Sequence, residues 1–259
     1  MKILVVVKMV PDVVEDLEVA ADGRGLDAEY IRMILSERDN HALEQALLLK
    51  EEYGGSVTAL ALEAPDMDEV LFTALAKGAD RAVKIVDLPA GLTTHGAAQV
   101  VSQTISTAPG LWPADLLLTG VQAIDDLDGQ MAPLLSHLLG LPYLGIVTQI
   151  QVDPSANKLT VIKEYSGGVR GEFELPLPAL LGIQAAEKPP RYVPVAKVRA
   201  AMKSQHIESV PAPAAPGPAA AQVLEMAKPQ VSQQTEILYG TLEEMVGKVA
   251  DILAARGLL

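Results

Sequence analysis

The chain has 259 residues, enough for one large domain with extensions, and 49% are hydrophobic although only 3% are aromatic. Its formal net charge of −13 at pH 7 argues against a nucleic-acid ligand, because binding a phosphate backbone requires clustered Lys and Arg. The absence of cysteine excludes disulfides, thiolate catalysis and Cys-ligated zinc or iron–sulfur sites.

The N-terminal segment does not have the features of a secretory signal. Residues 1–7 form a short apolar run that ends at Lys8, without the longer apolar core and the small-residue cleavage site of such a signal. No segment approaches the roughly 20 apolar residues that span a bilayer. We therefore expect a soluble, cytoplasmic protein without membrane insertion.

The first half of the sequence alternates between apolar runs and segments with helical periodicity. The apolar runs predict strands at residues 2–7, 56–62, 81–86 and 115–119. Helical spacing predicts helices at residues 40–53, 68–77, 93–107 and 129–139. Asp39 or Asn40 is the expected N-cap of the first helix. This alternation indicates right-handed crossovers and a parallel sheet.

The periodicity changes after the fourth helix. Turn sequences separate strands at residues 144–152, 158–164 and 169–175, which predicts an antiparallel meander, and one more apolar strand follows at 179–184. The predicted fold is α/β: a Rossmann-like parallel sheet with helices on both faces, an added antiparallel strand meander, and an extended C-terminal arm.

The globular pattern fades after Ala185. A Pro-rich extended stretch leads into a short helix near residues 195–203, and residues 211–221 have the composition of a semi-rigid linker. Residues 241–256 place apolar side chains on one stripe of an amphipathic helix, which must dock on its own domain or on another chain. The predicted divisions are an α/β domain at 1–185, a loop with a short helix at 186–207, and a linker with a C-terminal helix at 208–259.

The stretch at residues 119–133 is the most informative for function. It follows the carboxyl end of the fourth strand and opens a helix, the position where open parallel sheets bind ligands and where a helix N-terminus accepts phosphate. From position alone, a phosphate-bearing ligand and a plain loop remain equally open. The sequence GRGLDA at 23–28 matches a dinucleotide-binding fingerprint, but no predicted strand leads into it. The histidines lack metal-ligand spacing, and we expect neither a metal site nor catalytic residues.

Five segments, in this order along the chain, resemble the β subunits of electron-transfer flavoproteins. KILVVVKMVPD resembles their opening strand and loop, HALEQALLLKE their first helix, and TALAKGADRAV their second helix and third strand. GVQAIDDLDGQ resembles their nucleotide loop, and EKPPRY the entry to their partner-recognition loop. The acidic stretch at residues 15–29 is most similar to the bacterial branch that serves amine-type dehydrogenases.

The resemblance implies a heterodimer in which the α subunit carries most of the FAD and the β subunit holds a structural AMP. Electrons would pass from a flavin-containing dehydrogenase to an acceptor oxidoreductase, and the β subunit would contribute no catalytic residue. Carried over position by position, the residues expected to contact AMP are Val6, Ser36, Glu37, Arg38, Asp39, Glu63, Gly120, Val121, Gln122, Ala123, Ile124, Asp125, Asp126, Leu127, Asp128, Gly129, Gln130 and Met131. The last three are expected to present backbone N–H groups to the phosphate.

The resemblance also assigns roles to the two tail elements. Residues Arg191, Tyr192, Val195 and Val198 are expected to bind the dehydrogenase, with Val195 as an aliphatic anchor. We expect both valines to be exposed, since exposed apolar anchors mark binding sites. The helix at 241–256 is expected to dock on the α subunit.

The chain departs from the family pattern at several positions. Ser36 and Glu37 stand where many members have Asn-Pro, Leu127 replaces an acidic residue, and Asp128 replaces a neutral one. An extra carboxylate beside a phosphate is unfavourable unless it points away, for example to cap the following helix. Val13 stands where some members place a tyrosine near the flavin.

Two other functions remain open from the sequence. The first is an electron-bifurcating β subunit, which binds a second FAD in place of AMP and reacts with NAD(H). The second is a stand-alone adenine-nucleotide-binding module of the universal-stress type, which would not need the C-terminal 75 residues. Flavin absorbance of the purified chain without its α subunit would favour bifurcation, whereas AMP released on denaturation would favour the carrier subunit.

Overall fold

The computed structural model describes residues 1–27, 31–126, 128–213, 223–229 and 237–259. The strands are β1 (Lys2–Val7), β2 (Met9–Pro11), β3 (Met33–Leu35), β4 (Ser56–Leu62), β5 (Arg81–Val86), β6 (Leu116–Gly120), β7 (Tyr143–Asp153), β8 (Lys158–Glu164), β9 (Arg170–Pro176), β10 (Ala179–Ile183) and β11 (Glu208–Pro211). The helices are α1 (Glu37–Tyr53), α2 (Met67–Lys77), α3 (Thr94–Thr107), α4 (Met131–Leu139), α5 (Val195–Ser204) and α6 (Leu242–Ala255).

The main sheet has the strand order β11-β5-β4-β1-β6-β10-β7-β8-β9. Strand β1 lies at its centre and pairs in parallel with β4 on one side and β6 on the other. Strand β8 runs antiparallel to both β7 and β9, which forms the meander. The prediction of a Rossmann-like parallel sheet with an antiparallel extension is therefore confirmed.

Helices cover both faces of this sheet. Along β1, Ile3, Val5 and Val7 pack into a core cluster with α1 and α2, whereas Leu4 and Val6 pack into a second cluster with α3 and α4. Because successive side chains of a strand point to opposite faces, a strand buried on both sides reads as one continuous apolar run. This explains why the bounds of β1 were predicted correctly.

Three short strands were not predicted. Strands β2 and β3 form a separate antiparallel pair of three residues each, too short to show a periodicity. Strand β11, in a stretch that we had assigned to the arm, pairs in parallel with β5 at the edge of the main sheet. The guanidinium of Arg81 donates to both carboxylate oxygens of Glu208, at 2.9 and 2.7 Å. This ion pair links β11 to β5, and it joins distant residues that local composition does not reveal.

Helix α1 begins earlier than predicted, and the prediction of its N-cap was wrong. Ser36 occupies the N-cap position, and Asp39 lies in the first turn of the helix. An acidic residue is favourable there because of the helix dipole. The Asp39 side chain turns towards the sheet, as described below.

The C-terminal segment carries the predicted amphipathic helix. Helix α6 begins with a capping box between Thr241 and Glu244, and its apolar stripe is exposed, including Leu242, Val246 and Val249. The predicted linker at 211–221 lies mostly outside the described residues. Among the helices that the structure describes, none is long and apolar enough to cross a membrane.

Candidate functional site

A crevice opens at the carboxyl ends of β1 and β6, beside the start of α1. The chain proceeds from β1 to β4 and β5 on one side and then returns to β6 on the other side, so the strand order switches direction between β1 and β6. Ligands of open α/β sheets bind at such a switch point. The crevice is lined by Val6, Val7, Lys8, Asp39, Thr119, Gly120, Val121, Gln122, Ala123, Asp126, Gly129 and Met131.

A buried carboxylate joins the two strand ends at the back of this crevice. Asp39 accepts the backbone N–H of Gly120 at 2.7 Å on Oδ1 and that of Lys8 at 3.0 Å on Oδ2. Burial raises the pKa of Asp39 to about 6, although the hydrogen bonds from Gly120 and Lys8 oppose that rise. At a switch point the strands diverge, and Asp39 satisfies the amides at both ends.

The start of α1 packs directly on the end of β6. A Cβ atom at Gly120 would lie 2.6 Å from both the Arg38 Cβ and the Asp39 Oδ1, and 2.8 Å from the Arg38 carbonyl carbon. The Ser36 N–H donates to the Lys8 carbonyl at 3.0 Å, and the Arg38 guanidinium donates to the Gln184 carbonyl at 2.7 Å. Only a glycine permits this close approach, which forms the back wall of the crevice.

The loop after β6 is closed by its own backbone. The Asp126 N–H donates to the Ala123 carbonyl at 3.1 Å, and the Gly129 N–H donates to the Asp126 carbonyl at 3.0 Å. Gly129 has φ +60°, and a Cβ there would lie 2.8 Å from the Val121 carbonyl oxygen. In this conformation the Gly129 N–H therefore completes the turn, a use that the resemblance did not anticipate.

Helix α4 begins at the crevice with Met131, and Gln130 is its N-cap residue. The first N–H groups of a helix lack intrahelical partners, and Pro133 in the first turn has no N–H. The side chain of Asp128 does not cap this helix and instead accepts a hydrogen bond from the side-chain Nε2 of Gln130 at 3.3 Å. The backbone N–H groups of α4 that have no intrahelical partner therefore lie at its first residues, next to the crevice.

An ion pair links β1 to the loop at the crevice. The Lys8 Nζ lies 2.8 Å from the Asp125 Oδ1, and both side chains are partly exposed. The expected contact residues did not include Lys8, Val7 and Thr119, which also line the crevice, although Thr119 begins the stretch singled out from the sequence. The available signal was positional, because Lys8 immediately follows the central strand.

The structure brings only part of the expected site together. The expected residues that line the crevice are Val6, Asp39, Gly120, Val121, Gln122, Ala123, Asp126, Gly129 and Met131. Those next to it or elsewhere are Ser36, Glu37, Arg38, Glu63, Ile124, Asp125, Asp128 and Gln130. Glu63, the residue after β4, lies 3.7 Å from the Lys84 ammonium. Leu127 lies outside the described residues.

The second expected site, around α5, differs from its sequence-based description. Tyr192 and Val195 are 83% and 61% exposed. Val198, which we had expected to be exposed, packs partly buried against the core instead. Its helical neighbour Ala201 is buried in the same cluster, because i and i+3 residues share one face of a helix. The guanidinium of Arg191 forms ion pairs with Glu44 and Glu51 of the same chain.

Within the described parts of the chain, no group of His, Asp and Glu side chains is arranged to hold a metal ion. This includes the acidic residues of the loop after β6. The site is therefore described by one buried carboxylate, one lysine, a glycine-dependent turn and a helix N-terminus.

Comparison with known proteins identifies relatives over most of the chain. The model of the electron transfer flavoprotein domain family matches residues 25–215. The electron transfer flavoprotein subunit beta of Methylophilus methylotrophus is 32% identical over 98% of both chains. That of Clostridium acetobutylicum is also 32% identical, over 76% of this chain and 74% of its own. The mitochondrial subunit beta of Arabidopsis thaliana is 30% identical over 81% of each.

Proposed function

Because the chain belongs to the electron transfer flavoprotein family, we propose that it is the β subunit of a heterodimeric electron carrier. In this proposal it accepts electrons from a flavin-containing dehydrogenase and passes them to an acceptor oxidoreductase, through FAD held mainly by the α subunit. The observation that carries the proposal is the crevice at the β1–β6 switch point, which coincides with the nucleotide loop expected from the resemblance.

The residues of the crevice fit a small adenine nucleotide. The start of α4 at Met131 offers unpaired N–H groups and the positive end of a helix dipole, both of which favour a phosphate. The Lys8 ammonium lies at the crevice, where it pairs with Asp125, while Val6 and Ala123 offer apolar surface to a base. We propose that AMP binds here, with its phosphate against the N–H groups of Gln130 and Met131 and with Gly129 shaping the turn.

In this proposal the protein residues bind and orient, and the FAD supplies the redox chemistry when it is bound. Asp39 holds the strand ends, Gly120 admits α1, and the loop after β6 encloses the nucleotide. The exposed Tyr192 and Val195 dock the dehydrogenase, and α6 docks on the α subunit. The acidic stretch at 15–29 supports a dehydrogenase of the amine-oxidising type.

Nucleotide analysis of the heterodimer tests this proposal. The chain is co-expressed with its α subunit, purified, denatured and analysed for released nucleotides. We expect one AMP and one FAD per heterodimer. Two FAD and no AMP would support the bifurcating alternative, and a chain without any adenine nucleotide would contradict the proposed site.

Replacing Gly129 with valine is expected to reduce AMP occupancy more than tenfold and to lower the yield of heterodimer. A β-branched residue at φ +60° is strained by roughly 1–3 kcal/mol, and its Cβ would meet the Val121 carbonyl at 2.8 Å. AMP content per heterodimer is the measurement. Gly91→Val is the matched control, because Gly91 has φ +69° but open space around it. Full occupancy in Gly129→Val would place the phosphate elsewhere.

Replacing Val195 with alanine is expected to weaken docking of the dehydrogenase while leaving the heterodimer intact. The side chain is largely exposed, so its removal forms no cavity within the chain. We expect the KM for the carrier as electron acceptor to rise about tenfold, with unchanged FAD content.

A chain that ends at Pro213, which keeps β11 and removes α6, should instead loosen the heterodimer. Dissociation by Val195→Ala, or a truncated chain that forms an equally stable heterodimer, would reverse these assignments.

A further inference from the structure

The polar face of α1 binds the segment that precedes α5. Side chains at helical spacing along α1 each hold one position of residues 184–187, and this explains why polar residues of α1 are buried although the helix packs on the sheet. The hydrogen bonds are Arg38 Nη1 to the Gln184 carbonyl (2.7 Å), the Ala186 N–H to His41 Nδ1 (3.2 Å), the Glu187 N–H to Gln45 Oε1 (3.0 Å) and Gln45 Nε2 to Glu187 Oε1 (3.3 Å).

An arginine–carboxylate cluster completes this attachment. The side chain of Glu44 is only 3% exposed, and it accepts the Arg191 backbone N–H at 2.9 Å on Oε2. Its Oε1 accepts from the Arg191 Nε at 2.9 Å and lies 2.8 Å from Nη2. Glu51, 58% exposed, pairs with the remaining Nη1. Hydrogen bonds to Glu51 and to Glu44 raise the pKa of Arg191 above its ordinary value.

The exposed apolar residues lie between this cluster and a second fixed point. Tyr192 directly follows Arg191, and Val195 begins α5. Val198 and Ala201, about one and two turns further along α5, pack on the core. The backbone from Tyr192 to Val195 is therefore held at both ends. The side chains of Tyr192 and Val195 face outwards, whereas Val193 between them packs partly buried against the core.

We propose that Glu44 and Arg191 are positioning residues that set the placement of the Tyr192–Val195 surface, and that Arg191 acts as an internal anchor and does not contact the dehydrogenase. This inference rests on the proposed docking function. A buried carboxylate satisfied by a single arginine through both side chain and backbone is a specific attachment, because removing its charge leaves that arginine incompletely paired. Glu44 is the expected anchor because it is buried and holds both the backbone and the side chain of Arg191. Glu51 also raises the pKa of Arg191, but it is largely solvated and binds only Nη1.

Matched substitutions in the heterodimer test this inference. Glu44→Gln keeps the side-chain volume but removes the buried charge, and Glu51→Gln makes the same change at the solvated partner. Hydrogen–deuterium exchange of the amides at residues 191–204 is measured, together with kcat and KM for reduction by the dehydrogenase. We expect Glu44→Gln to accelerate exchange about tenfold and to raise KM with kcat unchanged, and Glu51→Gln to change either by less than about threefold.

The possible results separate the inference from the proposed function. Equal effects of the two substitutions, or unchanged exchange in Glu44→Gln, would overturn the positioning role. A fall in kcat without a rise in KM would also overturn it, because a misplaced docking surface affects association. If exchange rises in Glu44→Gln but Val195→Ala leaves KM unchanged, the attachment is supported and the docking function is the part that fails.

Discussion

Replacing Gly120 with alanine is expected to lower the free energy of unfolding by about 3 kcal/mol and to abolish AMP retention. The new methyl group would lie 2.6 Å from the Asp39 Oδ1 and 2.8 Å from the backbone carbonyl carbon of Arg38. Since Arg38 and Asp39 belong to the first turn of α1, the helix itself must move to relieve the contact. Its displacement breaks the hydrogen bond from Gly120 to Asp39 and opens the back wall of the crevice.

Chemical denaturation and nucleotide analysis measure the two effects. Gly25→Ala is the matched control, because Gly25 does not have a positive φ and a Cβ there would meet nothing within 4 Å. We expect this control to change stability by less than about 0.5 kcal/mol. A Gly120→Ala protein with undiminished stability and full AMP content would show that α1 does not form the wall of the nucleotide site.

Replacing Asp39 with asparagine is expected to remove a pH dependence of stability between about pH 4 and pH 6. Burial raises the pKa of Asp39 from 3.8 to about 6, so the folded state binds this proton more tightly than the unfolded state. The resulting stabilisation is fully present below pH 3.8 and is lost as the pH rises through about 6. At 1.36 kcal/mol per pH unit, the difference corresponds to roughly 3 kcal/mol.

The measurement is the free energy of unfolding of both proteins from pH 4 to pH 7. On acidification the wild-type protein should gain stability relative to Asp39→Asn, whose side chain does not titrate. Asp153→Asn provides a control of opposite sign, because hydrogen bonds from Ser155 and Ala156 lower the pKa of the exposed Asp153. The stabilisation that arises from the lowered pKa of Asp153 is therefore lost as the pH falls. Parallel curves for wild type and Asp39→Asn would mean that Asp39 titrates normally and is not a buried clamp.

The elements with a local signal could be predicted from the sequence alone. Strands β1, β4, β5 and β8 have the predicted bounds, because a run of mostly apolar residues marks a buried strand in the sequence. Helix ends were correct within three residues, since glycines and capping residues mark them locally. The parallel sheet followed from the alternation of these elements, and the family resemblance followed from motifs in their order.

The partners of the polar residues, in contrast, depend on how the elements pack. Asp39 had the local pattern of a helix cap, but the fold directs its carboxylate to Gly120, 81 positions away in the sequence. Arg191 had the pattern of a partner contact, but the packing of α1 places Glu44 beside it. A buried polar side chain needs a hydrogen-bond partner because its desolvation is costly. The fold determines which residue lies close enough to be that partner. Apolar periodicity indicates which face of an element is buried. The partners of the buried carboxylates Asp39 and Glu44 include residues 81 and 147 positions away, which no local pattern identifies.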